Sequence, residues 1–208
     1  MLSTFRPYWV HTPLEFPVFT DTKIMMMPVT LGSLSGVPVQ YVPLLKELYS
    51  MVESRFIGAI GYLTIDEKHF DQEETHRREG WHVDGHYKGR CGAWGGGGSW
   101  GSTGNGMIVI SNVVGCEAIA ADIQTQVGDE GEIDPEGLKG VVKTPFKANI
   151  PYWVDGSCIH RSLKQPKGTK RQFLRLSMPN NGPWFEGYTK NPNGIKPTGD
   201  ILPRREFM

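Results

Sequence analysis

The residues best equipped for chemistry stand in one short stretch, Trp81-His82-Val83-Asp84-Gly85-His86, and in one distant partner, His160. Two imidazoles and one carboxylate make a three-donor face that suits Fe(II) and leaves further coordination positions open. The single spacer in His82-x-Asp84 matches an extended chain, where residues i and i+2 point to the same side. Two donors from one strand cannot complete such a set, and His160 is the best candidate for the third. His82, Asp84 and His160 are therefore the expected metal ligands and catalytic centre.

Other uses of the stretch fail on residue type. A helical H-E-x-x-H zinc site needs Glu where Val83 stands, and Gly85 is a poor helix residue. A cupin metal box needs H-x-H with Glu close behind, yet the next Glu after His86 is Glu117. His86 itself is either a contact near the metal or a turn histidine.

A lone H-x-D is a weak signal, and what strengthens it lies beyond His160. In Lys170–Ser177 alternation puts Arg171, Phe173, Arg175 and Ser177 on one face, with Gln172, Leu174 and Leu176 on the other. Two arginines beside a phenylalanine fit a pocket wall, where each guanidinium needs an anion to offset its desolvation. A solvated basic edge strand is the alternative. Cys158 shares the face of His160 by alternation and is expected to pack near the metal without binding it.

The elements that must hold these groups are mostly strands. Residues 39–55 predict the one clear helix, from the stripe Leu45, Leu48, Tyr49, Val52 with Pro43 in the first turn. Phe16 to Phe19 and Lys23 to Leu31 are candidate outer strands, with Met25 to Met27 as core filler or a soft binding surface. Residues 56–65 form a β-type run that leads into Asp66 to Gly80, expected to be an exposed connection with solvated His69 and His76. Residues 92–106 hold eight glycines with Trp94 and Trp100. They lack a phosphate-loop pattern and are either a linker or a mobile lid. Residues 106–112 and 116–124 predict short strands, and 127–141 a loop. Residues 148–164 and 170–178 flank a Pro166 to Gly168 turn and predict an antiparallel hairpin. Residues 179–208 are expected to be an irregular tail, whose Trp184, Phe185 and Tyr188 are candidates for a pocket wall.

Composition sets the frame. The 208 residues predict one domain, 1–208, with its core at about 29–178. Lys and Arg balance Asp and Glu at 22 each, which argues against a nucleic-acid or anionic-membrane partner. Three widely spaced cysteines without C-x-x-C argue against a disulfide scaffold and for a reducing compartment. No apolar run approaches the ~20 residues of a membrane span, and the first residues show no secretion signal. A cytoplasmic protein is expected.

Taken together, Trp81-His82-Val83-Asp84-Gly85, His160, and Arg171 with Arg175 resemble the Fe(II)- and 2-oxoglutarate-dependent dioxygenase superfamily. The resemblance spans residues 56–178. It implies a mainly β fold with few helices, a double-stranded β-helix or jelly-roll barrel of cupin-like form. It also implies that His82, Asp84 and His160 bind iron and that Arg171 holds the distal carboxylate of 2-oxoglutarate, as in taurine and phytanoyl-CoA dioxygenases. Arg175 resembles a second arginine aimed at the other carboxylate or at substrate. Arg175-Leu176-Ser177 also resembles the R-x-S pair of another branch, so the two arginines' roles stay exchangeable. The implied activity is hydroxylation of a small molecule, of open identity and conceivably anionic, using O2 and releasing succinate and CO2. The residues leave two rivals: a jelly-roll metalloenzyme that does not use 2-oxoglutarate, and a non-catalytic jelly-roll binding module.

Overall fold

The computed structural model describes residues 2–8, 10, 12–84, 86–87, 90–91, 106–129, 131–179 and 184–202. The glycine-rich tract with Trp94 and Trp100 falls outside them, apart from Gly106, and so do its linker and lid readings. The fold is mainly β, and the described residues contain one α-helix, Val42–Ser50.

The larger sheet is antiparallel and six-stranded, in the order Phe5–Pro7, Tyr152–Val154, Met107–Ser111, Lys170–Ser177, Ile60–His69, Lys23–Thr30. Alternation gives its central strands two different buried faces. On one, Leu63, Ile65, Ile108, Ile110, Leu174 and Leu176 pack with Leu44, Leu45 and Leu48 of the helix. On the other, Arg171, Phe173, Arg175, Met107 and Val109 line a cavity. Because both faces are covered, these strands carry few exposed residues, and the arginines are buried with the rest.

The smaller sheet joins Thr144–Pro145, Cys116–Ala118 and His160–Ser162. It is extended by isolated bridges from His82 to His160 and from His82 to Glu132. Its outer side is sealed by Trp81, Val83, Ile119, Ile133 and Ile159. Its inner side supplies His82, Cys116, His160 and Ser162 to the same cavity.

Several expectations are corrected. The predicted hairpin does not form: Lys170–Ser177 pairs with Ile60–His69 and Met107–Ser111 instead. The cause is a turn at Asp155, whose carboxylate accepts from the backbone N and hydroxyl of Ser157. It breaks the upstream run, so Tyr152–Val154 enters the larger sheet and His160–Ser162 the smaller. Phe16 to Phe19 is not a strand, while Lys23–Thr30 is an edge strand. The helix is shorter than 39–55, with 3-10 turns at Val39–Tyr41 and Ser54–Phe56.

Asp66 to Gly80 is not an exposed connection. The strand runs on to His69, and Glu67 is fully buried. Its carboxylate accepts from the backbone N–H of Thr20 and Thr22, from the Tyr41 hydroxyl and from Gln172 Nε2. Four donors compensate the desolvation that would otherwise bar a carboxylate from this place. Residues 127–141 hold a 3-10 turn, Pro135–Leu138, and the bridge to His82. In the tail, Trp184–Phe185 pairs in parallel with Ile201–Leu202. The Trp184 ring stacks on Tyr62 at 3.6 Å between centroids.

Candidate metal centre

Three short segments bring the donors together. His82 and His160 are paired residues on neighbouring extended segments, and each backbone N–H donates to the other's carbonyl, at 3.0 and 2.9 Å. Side chains of such a pair project to the same face, and the two imidazole rings stand 4.4 Å apart between centroids. Asp84 lies at a turn two residues on. The run 81–84 is thus not a full strand, but the spacing still delivers His82 and Asp84 to one side. Asp84 Oδ1 is 3.9 Å from Nε2 of each histidine, and the ligand atoms of all three lie within 4.8 Å of one another.

The surrounding contacts orient these donors. Nδ1 of His82 is 2.7 Å from the Gly80 carbonyl, and Nδ1 of His160 is 2.9 Å from that of Cys158. A carbonyl only accepts, so each Nδ1 carries the proton and each Nε2 presents its lone pair to the shared space. Asp84 Oδ2 accepts from Arg175 Nη1 at 3.0 Å, which leaves Oδ1 facing the histidines. Burial, reinforced by the charge of His160, pulls His82 down to about 4 against the pull of Asp84. Burial would raise Asp84, but His160, Arg175 and His82 outweigh it and hold the carboxyl at about 2. His82 and Asp84 are therefore unprotonated where a metal ion would compete for them. Two imidazoles and a carboxylate fit a borderline ion such as Fe(II). The nearby thiols do not join them: burial raises Cys116 to about 12 and pushes Cys158 higher.

The three donors open on a cavity of about 320 Å³, whose wall includes Arg171, Arg175, Phe173, Arg77, His76 and Asp66. Arg171 is 1% exposed. Its Nε donates to Ser111 Oγ at 3.2 Å, and Nη1 is buried with no partner. Among the described residues no carboxylate lies within 4.0 Å of its guanidinium, and burial draws it down to about 10, so it stays cationic. Gly115 makes the position possible, because a Cβ there would stand 2.4 Å from Arg171 Cζ. Arg175 is also drawn down to about 10 by burial, against the pull of Asp84. Its Nη2 reaches Met26 Sδ at 3.0 Å. Ser177 is buried with its hydroxyl unpartnered, and it does not line the cavity.

Met26, His76, Arg77 and Asp66 join the site without having been singled out for it in the sequence. A bulge between Ile24 and Met27 sets Met26 at φ +48° and turns it toward Arg175. Nothing in a run of three methionines announces that. His76, expected to be solvated, has a side chain only 3% exposed, and its Nε2 is 3.1 Å from Asp66 Oδ1. The cluster Thr75-His76-Arg77-Arg78 just before the H-x-D was the available signal. His69 stays half-exposed beside Asp71, and Cys158 is buried behind His160 without lining the cavity. Among the described residues no helix is long and apolar enough to cross a membrane. Comparison of the chain with family models, with curated proteins and with solved structures finds no match to any of them.

Proposed function

We propose that the protein is an Fe(II)- and 2-oxoglutarate-dependent oxygenase that hydroxylates a C–H bond of a small molecule. The observation that carries this reading is one shared cavity. It joins the His82-Asp84-His160 face to Arg171, a buried cation with an unpartnered N–H and no carboxylate of its own. A buried guanidinium lacking an anion is costly, and an incoming carboxylate supplies the missing charge-assisted bond. Fe(II) with 2-oxoglutarate would supply the activation of O2, with succinate and CO2 as co-products.

The chain's own residues have separable tasks. His82 and His160 offer Nε2 because backbone carbonyls hold their Nδ1 protons. Asp84 is confined to one free oxygen by Arg175, which keeps coordination positions open. Arg171 would fix the far carboxylate of the co-substrate, with Ser111 holding the guanidinium in place. Phe173, Val109, Val154 and Phe146 exclude water from the oxidising centre.

The two sheets do not close into the expected barrel, but their strand order supports a jelly-roll form. Of the eight segments that build these two sheets from residue 60 to 177, taken in chain order, the first, third, sixth and eighth (Ile60–His69, Met107–Ser111, Tyr152–Val154, Lys170–Ser177) lie in the larger sheet. The second, fourth, fifth and seventh (81–83, Cys116–Ala118, Thr144–Pro145, His160–Ser162) lie in the smaller one. Such alternation is what folding a double Greek key produces.

The test is an anaerobic optical titration with Fe(II) and then 2-oxoglutarate. The expected result is a visible charge-transfer band in the wild type, absent in His160→Ala and displaced to higher 2-oxoglutarate in Arg171→Ala. Iron binding without the band would remove the co-substrate and favour a metalloenzyme of another kind. No metal binding would leave a binding module.

A further inference from the structure

The cavity holds more positive charge than the proposed co-substrate can satisfy. Four arginines line it, Arg77, Arg78, Arg171 and Arg175, against two aspartates, Asp66 and Asp84. Counting the histidines as neutral, the wall carries +2. A divalent metal adds two positive charges and a 2-oxoglutarate dianion removes two, so these groups together still sum to +2. A low-dielectric site with such an excess favours a further anion and disfavours a cation.

With Arg171 given to the co-substrate and Arg175 paired with Asp84, Arg77 keeps only a shared counter-charge. Asp66 is the one carboxylate within 4.0 Å of Arg77 among the described residues, at 3.4 Å. That carboxylate also serves Lys23 at 3.1 Å and His76 at 3.1 Å, so its charge is divided among three partners. Arg77 and Arg171 both stand over Phe173, at 5.6 and 5.5 Å from the ring centroid, but at different depths. The Arg171 residue is 1% exposed, whereas the Arg77 side chain is 32% exposed. Arg171 is thus the deeper of the two guanidiniums and Arg77 the more open to solvent. Beside the arginines, on the same sheet face, the wall is apolar, formed by Met107, Val109 and Val154 with Phe146 packed against them.

We propose that the molecule oxidised in this cavity is a small amphipathic carboxylate. Its acid group docks on Arg77 and its apolar body lies against Val109, Phe146 and Val154, within reach of the His82-Asp84-His160 face. The oxidation rests on the oxygenase reading, but the carboxylate site itself stands on the charge and shape of the wall. A cavity of about 320 Å³ is at the small end for ligand pockets, so the body is a short chain or a single ring.

The test uses hexanoate as probe, with hexanol and hexylammonium as matched controls. Binding is measured by calorimetry or ligand-observed NMR on the full chain saturated with Zn(II) and 2-oxoglutarate. The expected result is hexanoate at least about tenfold tighter than either control, as a charge-assisted pair supplies. The preference falls about tenfold in Arg77→Gln and in Arg77→Ala. Circular dichroism of the variants establishes that they fold. Equal binding of acid and alcohol, an unchanged preference in both Arg77 variants, or one-for-one displacement of 2-oxoglutarate by hexanoate would each overturn the proposal. The two readings fail separately. Protein that binds hexanoate through Arg77 but takes up no 2-oxoglutarate upholds the carboxylate site and removes the oxygenase.

Discussion

His82 and His160, 78 residues apart in the chain, form a reciprocal backbone pair in which each N–H donates to the other's carbonyl. The donor geometry is therefore set by main-chain hydrogen bonds, and the imidazoles contribute little to holding the segments together. Replacing either ring by Ala is expected to weaken Co(II) binding by at least about a hundredfold, as loss of one of three ligands removes most of a site's affinity. Metal-free thermal stability should move by no more than a few degrees. Calorimetric titration beside a melting curve checks both, and a collapse of the fold would show that the rings carry structure.

Gly115 and Arg171 form a second such relationship. An added methyl at Gly115 has no room beside the guanidinium, whose Nε is tied to Ser111. Gly115→Ala should displace Arg171 and raise the Kd for 2-oxoglutarate about tenfold while leaving metal affinity unchanged. An unchanged Kd would release Arg171 from its proposed role.

Asp66 gives a pH-dependent outcome. Burial would raise its carboxyl, but contact with His76 and Lys23 holds it well below the usual carboxylate range. A carboxyl depressed in the folded state stabilises fully above its unfolded value of about 4, and that contribution is lost as pH falls further. Asp66→Asn should therefore be less stable than the wild type at pH 6 and should lose less on going to pH 3. Urea unfolding at the two pH values measures the difference; parallel losses would assign the acid sensitivity to other groups.

Glu67 tests the buried side of the same strand. Its carboxylate serves four donors, so Glu67→Gln places an amide N–H₂ against groups that themselves donate. The expected loss is about 2–3 kcal/mol, from buried donors left without an acceptor. Tyr41→Phe, which removes one donor, should cost about 1 kcal/mol. Denaturant midpoints at pH 7 resolve the order of the two, and the reverse order would mean the cluster tolerates an amide.

How much of this was legible in the sequence depends on range. The i, i+2 relation of His82 and Asp84 and the alternation of Arg171, Phe173 and Arg175 are local properties of extended chain, and they survive in the structure. The partner of each strand is not local. Lys170–Ser177 looked like a hairpin partner for residues 148–164 because the two runs are adjacent and the Pro166 to Gly168 turn is plausible. The Asp155 turn, decided by one carboxylate capping Ser157, sent the pieces elsewhere. Asp66, Glu67 and His76 read as solvated in the sequence for a related reason. Charged residues in a row suggest solvent, and only tertiary partners such as Thr20, Thr22 and Tyr41 make their burial affordable. The Met26 bulge has no sequence signal at all.

The stack of Trp184 on Tyr62 has a consequence for how the molecule is made. Tyr62 lies on the strand 60–69 and Met26, also in that cluster, on the edge strand 23–30, yet their cover comes from residues beyond 183. During synthesis, both sheets and all three metal donors can leave the ribosome while this apolar patch is still bare. Domains finished in that order expose a sticky face until the last segment arrives. Chaperone demand and solubility should accordingly respond more sharply to changes at Trp184 than to changes at His82 or His160.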